Sequence, residues 1–413
     1  MYRKIMGFLE AWKENEHRKP LILQGARQVG KTYSILEFGR IHYENVAYFN
    51  FETNPKLNET FEEKISPDYL IPILSHIAGQ TIVKEKTLIV FDEVQLCERA
   101  LTSLKYFCED APEYHIIVAG SLLGVAVNRT RFSFPVGKVD MKTLYPMDME
   151  EFMLAMGEEQ LVELIKKCFQ TDTPMPAALH DAAMQLYRQY LVVGGMPECV
   201  MQFIQTKDYI LVRNTQNTIL ASYLNDMSKY NNLSEIKKTR LAYDNITVQL
   251  SKKNTRFQYK LIKKGGRASE FENAIEWLCL SGIVSQVYKV EQVKKPLENY
   301  RDIDAFKIYV SDLGLLCAKK ELLANDILYM VKELDDFKGG MAENYVNVQL
   351  SINGYHTCYW ESARGAEIDF VIQREGKLIP IEVKSADNTR AKSLKVYMDT
   401  YEPDYAIKLS AKN

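Results

Sequence analysis

The chain has 413 residues, 46% of them hydrophobic and 26% charged, with a formal net charge of −2. Such values suit two to four domains, each with its own core, and argue against large-scale disorder. They also exclude a global field that would draw the protein to DNA or a membrane, so any nucleic-acid patch must be local. No apolar run reaches the ~18 residues of a membrane span, and the opening "MYRKIMGFLEAWKENEHRKP" has no secretory apolar region. The seven cysteines are scattered without a C-x-x-C pair, which reads as reduced thiols in a cytoplasm. The histidines show no ligand spacing, which argues against a zinc enzyme.

Residues 20–145 alternate short apolar runs with helical stretches. "PLILQG", "NVAYFNFE", "TLIVFDE" and "YHIIVAG" predict buried strands of a parallel sheet covered on both faces. Residues 146–228 turn helical and are broken by the proline-rich "TDTPMP" at 171–176. Helices from 235 give way to a hairpin running from "GIVSQVYKV" to "DAFKIYVSD". The last stretch, 325–413, reads helix, strand, strand, turn, strand, helix.

The first strand leads into "GARQVGKT", residues 25–32, which matches G-x-x-x-x-G-K-[ST] between a strand and a helix. Chance would produce such a match in roughly one per cent of chains this long. Gly25, Ala26, Arg27, Gln28, Val29 and Gly30 would wrap their N–H groups around phosphates at a helix start. Lys31 would reach the β- and γ-phosphates of ATP, and Thr32 would ligate Mg2+. Downstream, "TLIVFDE" ends a strand in Asp92 and Glu93. An acid at Asp92 would hold Mg2+, and Glu93 would deprotonate the attacking water. Ser121, at the end of "IIVAGS", would contact the γ-phosphate.

Residues 237–267 hold ten Lys or Arg and one acid, Asp244, with Phe257 and Tyr259 interleaved. A helix and a hairpin follow, the order of a winged helix whose basic wing tracks DNA phosphates. A solvated helical face is the plainer reading of such a run, and winged helices also dock proteins.

In the tail, Asp369 lies on "AEIDFVI", a turn falls near Gly376, and Glu382 and Lys384 lie on "IPIEVKS". Glu382 and Lys384 are two apart and so share a strand face. Glu343 lies upstream on a helix. This is the group set of a PD-(D/E)XK nuclease. Asp369 and Glu382 would bind metal, Lys384 would position or activate a water, and Glu343 would hold the metal through a water. Arg364 and Trp360 would be phosphate and base-stacking contacts, or simply a strand edge. An alternating strand with a solvated charged face explains the E-x-K equally well by itself.

In order, "LILQGARQVGKT", "VFDEVQ", "VAGS", "LYPMDMEEF", "YLVVGGMPE", "KIYVSDLGLL", "AENYV" and "RGAEIDFVI…IPIEVKS" resemble the bacterial and archaeal AAA-type ATPases that carry a C-terminal domain of unknown function. The resemblance implies an α/β P-loop NTPase core with a parallel sheet over 1–145 and a helical lid over 146–230. It further implies a winged-helix-like segment over 231–320 and a PD-(D/E)XK nuclease-like domain over 321–413. It implies ATP and Mg2+ as cofactors and leaves the biological role open. Lys138 and Leu122 depart from the commoner residues of that pattern. Arg129 and Arg131 are candidates for an arginine finger, with solvated loop arginines the simpler reading. The expectation is a cytoplasmic Mg-ATPase coupled to a DNA-binding, nuclease-like module. Its alternative is a nucleotide-dependent switch or scaffold that binds a protein partner or a second copy of itself, with an inactive tail.

Overall fold

A computed structural model describes residues 1–120, 134–229, 233–250, 256–384 and 392–413, apart from the side chains of residues 229, 335 and 336. Ser121, Leu122, Arg129, Arg131, Lys252 and Lys253 lie outside the described residues or segments. The chain divides into two compact units: Met1–Tyr145 with Leu280–Gly282, and Pro146–Cys279 with Ile283–Asn413.

The first unit is built on five strands: β1 (Leu21–Gln24), β2 (Asn45–Asn50), β3 (Thr87–Asp92), β4 (His115–Gly120) and β5 (Asp140–Thr143). They form a parallel sheet in the order β2-β3-β4-β1-β5. Every residue of β3 and β4 is buried, as continuous apolar runs require when both sheet faces are covered. On one face Ile89, Phe91, Ile116 and Val118 join Phe49, Phe51, Phe61 and Phe107 in a core. Helices α3 (Leu57–Glu63), α4 (Pro67–Ala78) and α5 (Glu98–Asp110) supply its outer wall. Phe91 meets Phe61 edge to face at 5.6 Å, and truncating a ring so enclosed costs about 3–5 kcal/mol. Helix α2 (Lys31–His42) covers the other face. It lies so close that a Cβ on Gly39 would stand 2.5 Å from the Val46 side chain and 3.1 Å from that of Leu88.

The second unit begins with helices. The first, Met149–Ala155, starts on a reciprocal capping box between Asp148 and Glu151, which satisfies two orphan N–H groups. The "VVGG" turn after helix Ala177–Val193 is fixed by a buried carboxylate distant in sequence. Asp312 accepts hydrogen bonds from the N–H groups of Gly195 at 2.6 Å and Leu315 at 2.8 Å. Gly194 has φ +77°, and a Cβ there would meet Asp312 Oδ1 at 2.3 Å, so the turn admits no side chain.

The rest of this unit centres on a six-stranded mixed sheet in the order β11-β10-β9-β8-β6-β7. Its strands are β6 (Val284–Val290), β7 (Arg301–Val310), β8 (Thr357–Glu361), β9 (Glu367–Arg374), β10 (Lys377–Val383) and β11 (Ile407–Leu409). The hairpin expected in the 231–320 segment is β6–β7, and it is continuous with the tail. β6 pairs in parallel with β8 through Tyr288–Cys358, Lys289–Tyr359 and Val290–Trp360. A boundary at 320/321 therefore cuts across one sheet, because a hairpin with an open edge gains a full ladder of hydrogen bonds by joining it.

Candidate functional site

The loop after β1 has the backbone of an anion cradle. Gly25 has φ +147°, Gln28 +65° and Gly30 +93°, and left-handed residues among right-handed ones turn successive N–H groups to one side. Gly30 caps the N-terminus of α2, whose dipole favours negative charge there. Lys31 is almost fully buried. Its ammonium donates to the carbonyls of Gly25 at 2.9 Å and Ala26 at 2.8 Å, contacts that a phosphate oxygen would replace. Arg3 reaches the loop from the start of the chain, donating to the carbonyls of Val29 at 3.0 Å and Tyr145 at 2.8 Å.

Thr32 and Asp92, sixty positions apart, meet at the end of β3. The Thr32 hydroxyl donates to Asp92 Oδ2 at 2.9 Å. The Tyr48 hydroxyl donates to the same oxygen at 2.7 Å, and Asp92 Oδ1 accepts from the Glu93 N–H at 3.0 Å. Tyr48 stands two residues before the end of β2, which pairs in register with β3. Burial pushes its phenol up to about 12, so it remains a donor at neutral pH. A hydroxyl beside a buried carboxylate is a hard oxygen set of the kind Mg2+ prefers, so these residues fit that ion. Glu93 has φ +52°, a strained setting for a residue with a side chain. Burial raises its carboxyl, and a hydrogen bond from Gln95 Nε2 lowers it in part. Gln95 Oε1 is buried without a hydrogen-bond partner among the described residues. The motif contained Thr32, Asp92 and Glu93. Tyr48 and Gln95 carry no motif, and only the strand register would have pointed to Tyr48. Lys138 forms a surface ion pair with Glu109 at 2.9 Å.

In the second unit the tail residues approach one another with lysines between them. The turn at Glu375–Gly376 has φ of +49° and +73° and closes the β9–β10 hairpin at Arg374–Lys377. Between Ile368 and Val371 the register of β9 against β8 slips by one residue, so Asp369 and Phe370 together face Tyr359, a bulge that re-aims the side chain. Asp369 Oδ2 accepts the Val383 N–H at 2.7 Å, where the β9–β10 ladder has ended at Phe370–Ile381. Glu343, on helix Asp335–Ile352, accepts from the Tyr309 hydroxyl at 3.0 Å and lies 3.4 Å from Lys307 Nζ. Lys307 Nζ is also 2.5 Å from Glu367. Lys384 is paired with Glu382, whose other oxygen, Oε2, is buried without a hydrogen-bond partner among the described residues. Burial, then the nearby Glu343 charge, pushes Asp369 up to about 8.

These residues do not fit a divalent ion as they stand. Among the described residues no group of three or more His, Cys, Asp or Glu comes together to hold a metal, and Lys307, with no motif to announce it, lies among the carboxylates. Trp360 is core, donating to the Tyr401 hydroxyl at 3.0 Å and packed on Tyr397, so it offers no face to a base. Arg364 is exposed. In the basic segment Phe257 is buried and stacks on Phe306 at 5.3 Å, with Tyr259 at its edge. Lys263 pairs with Glu270, and Asp244 with Lys319.

The loop, its strand and the acid pair have the arrangement of a P-loop nucleotide-binding domain. Residues 17–153 match the family described as AAA domain. Residues 184–326 match Domain of unknown function (DUF8612), and residues 338–412 match Domain of unknown function (DUF4143). No curated protein is significantly similar to the chain. Among solved structures it is similar to the Aeropyrum pernix ORC2 protein in ADPNP–ADP complexes, at 12% identity over 85% of this chain and 95% of that one, with a TM-score of 0.38. It is similar to the Thermotoga maritima RuvB Holliday junction branch migration motor, at 13% identity over 68% and 87%, with a TM-score of 0.31. It is also similar to C. elegans PCH-2, at 14% identity over 42% of this chain and 49% of that one, with a TM-score of 0.25, so it spans about half the length of that relative. Likeness this distant transfers no function. Among the described residues no helix is long and apolar enough to cross a membrane.

Proposed function

We propose that the protein binds ATP with Mg2+ at residues 25–32 and hydrolyses it. The observation that carries this reading is the contact of Thr32 with Asp92 at 2.9 Å, which joins a complete phosphate loop to a strand-end acid pair. Loop N–H groups would hold the β-phosphate. Lys31 would leave the Gly25 and Ala26 carbonyls for the β- and γ-oxygens. Mg2+, held through Thr32 and Asp92, would supply charge neutralisation of the phosphates. Glu93, its carboxyl raised by burial, would accept the proton of the attacking water, and Gln95 would hold it in place until substrate arrives. Lys31→Ala should abolish tight ATP binding and turnover; equal affinity and turnover in the variant would refute the assignment.

For the second unit, a nucleotide-dependent binding module is favoured over a nuclease, because its carboxylates are partnered by Lys307 and Lys384. DNA and protein remain the candidate partners. DNA binding through the basic segment should fall steeply with salt as counterions are released, and reversing Lys263 and Lys264 should weaken it for all sequences. No binding at low salt would leave the protein partner. Mg2+- or Mn2+-dependent DNA cleavage that survives Lys31→Ala and is lost in Lys384→Ala would restore the nuclease reading.

A further inference from the structure

The lysine among the carboxylates has a definite origin in the sheet. β7 reads "RDIDAFKIYV", and Lys307 is flanked by Phe306 and Ile308, both buried. The pleat puts Lys307 on the same face as Tyr309, which packs with Phe370, Tyr359 and Ile381 in one core cluster. The side chain is 7% exposed. An ammonium buried to this degree survives only where charges and acceptors replace its water. Here they are Glu367 at 2.5 Å and Glu343 at 3.4 Å, with the Tyr359 ring centroid at 5.2 Å. Asp369 lies two residues from Glu367 on β9, its carboxyl raised by burial first and by the Glu343 charge next, and lowered in part by Lys307.

We propose that the Lys307 ammonium is a resident internal cation that takes the place of a divalent ion among Glu343, Glu367 and Asp369 and keeps this end of the C-terminal sheet metal-free. A divalent ion close to Glu343 and Asp369 would face a fixed positive charge in a medium that screens poorly, and like charges so placed repel strongly. Entry of the ion therefore requires Lys307 to leave its carboxylates. Lys307 lies on a strand paired with β6 from Val284–Val310 onwards, and its backbone cannot retreat without breaking that ladder. Lys384 in turn serves one oxygen of Glu382, so two lysines partner Glu343, Glu367 and Glu382 where a divalent ion would need their oxygens.

The test uses full-length, nucleotide-free protein and Mn2+ as the probe, followed by calorimetry and by the electron paramagnetic resonance of free Mn2+. The wild type should show no Mn2+ binding that Asp369→Asn removes. Lys307→Gln should gain one site, at least tenfold tighter than any in the wild type, and Lys307→Gln with Asp369→Asn should lose it. Since Lys307→Gln leaves the acids uncompensated, Lys307→Gln with Glu367→Gln restores the local charge and should gain a weaker Mn2+ site that rests on Glu343 and Asp369 alone. If either Lys307 variant melts below the assay temperature, Mn2+ should raise its melting point, and a melting point unmoved by Mn2+ overturns the proposal. So does an Asp369-dependent Mn2+ site in the wild type, or a folded Lys307→Gln protein that binds Mn2+ no better than the parent.

Discussion

Replacing Gly25 by alanine tests whether the phosphate loop depends on a single close approach. An alanine Cβ would stand 2.1 Å from the Leu144 carbonyl oxygen and 3.1 Å from its carbon, so the two backbones must part by about 1 Å to reach ordinary contact. Leu144 cannot simply yield, because its N–H donates to the Gln24 carbonyl at 2.8 Å at the end of the β1–β5 ladder. Losing that bond costs about 1 kcal/mol. Holding a side chain at φ +147° adds about 1–3 kcal/mol. The sum, about 2–4 kcal/mol before any wider repacking, is a large share of the ~5–15 kcal/mol that holds a typical domain folded. The displaced loop no longer aims its N–H groups together, so ATP affinity should fall at least tenfold, the equivalent of ~1.4 kcal/mol. Gly79→Ala is the control. Gly79 also has a positive φ, +67°, but a Cβ there meets nothing within 4 Å, so it should cost only about 1–2 kcal/mol and leave ATP affinity unchanged. Urea unfolding and calorimetric ATP titration measure both quantities. A Gly25→Ala protein with parental ATP affinity refutes the steric argument.

Glu93→Gln should bind ATP as the parent does and slow single-turnover hydrolysis at least a hundredfold, since only the proton acceptor is lost; a parental rate assigns the base elsewhere. Burial holds His115 down to about 4 against ~6.5 unfolded. Its contribution to stability is therefore complete above pH ~6.5 and is lost between there and ~4, at most ~3 kcal/mol. Urea midpoints at pH 7.5 and 4.5 should show a steeper drop in the wild type than in His115→Phe, and equal drops would refute the assignment. Asp312→Ala strands the buried N–H groups of Gly195 and Leu315 and should destabilise the second unit by about 2–6 kcal/mol, read by its urea midpoint, with ATP binding by the first unit retained.

What the sequence by itself determined was local in the chain. The phosphate loop is contiguous, its glycines answer to positive φ at Gly25 and Gly30, and the buried strands announce themselves by unbroken apolar runs. The β9–β10 turn at Gly376 is legible for the same reason: two strands and a tight turn are set by neighbours. Tertiary structure decided what lies across from what. Tyr48 reaches Asp92 because β2 and β3 are in register, although 44 residues separate them. Trp360 reads as a base-stacking contact in the sequence but is core, because an aromatic residue carries no mark of whether its neighbours are bases or other rings. The slip in β9 turns Asp369 toward its cluster where strict alternation would aim it differently. Lys307 on β7 meets Glu367 on β9 across the pairings of β7 with β6, β6 with β8 and β8 with β9, and meets Glu343 from a helix. Period and composition encode which face of a strand is buried; they do not encode which strand lies beside it, and a charge's partner is chosen by that second fact.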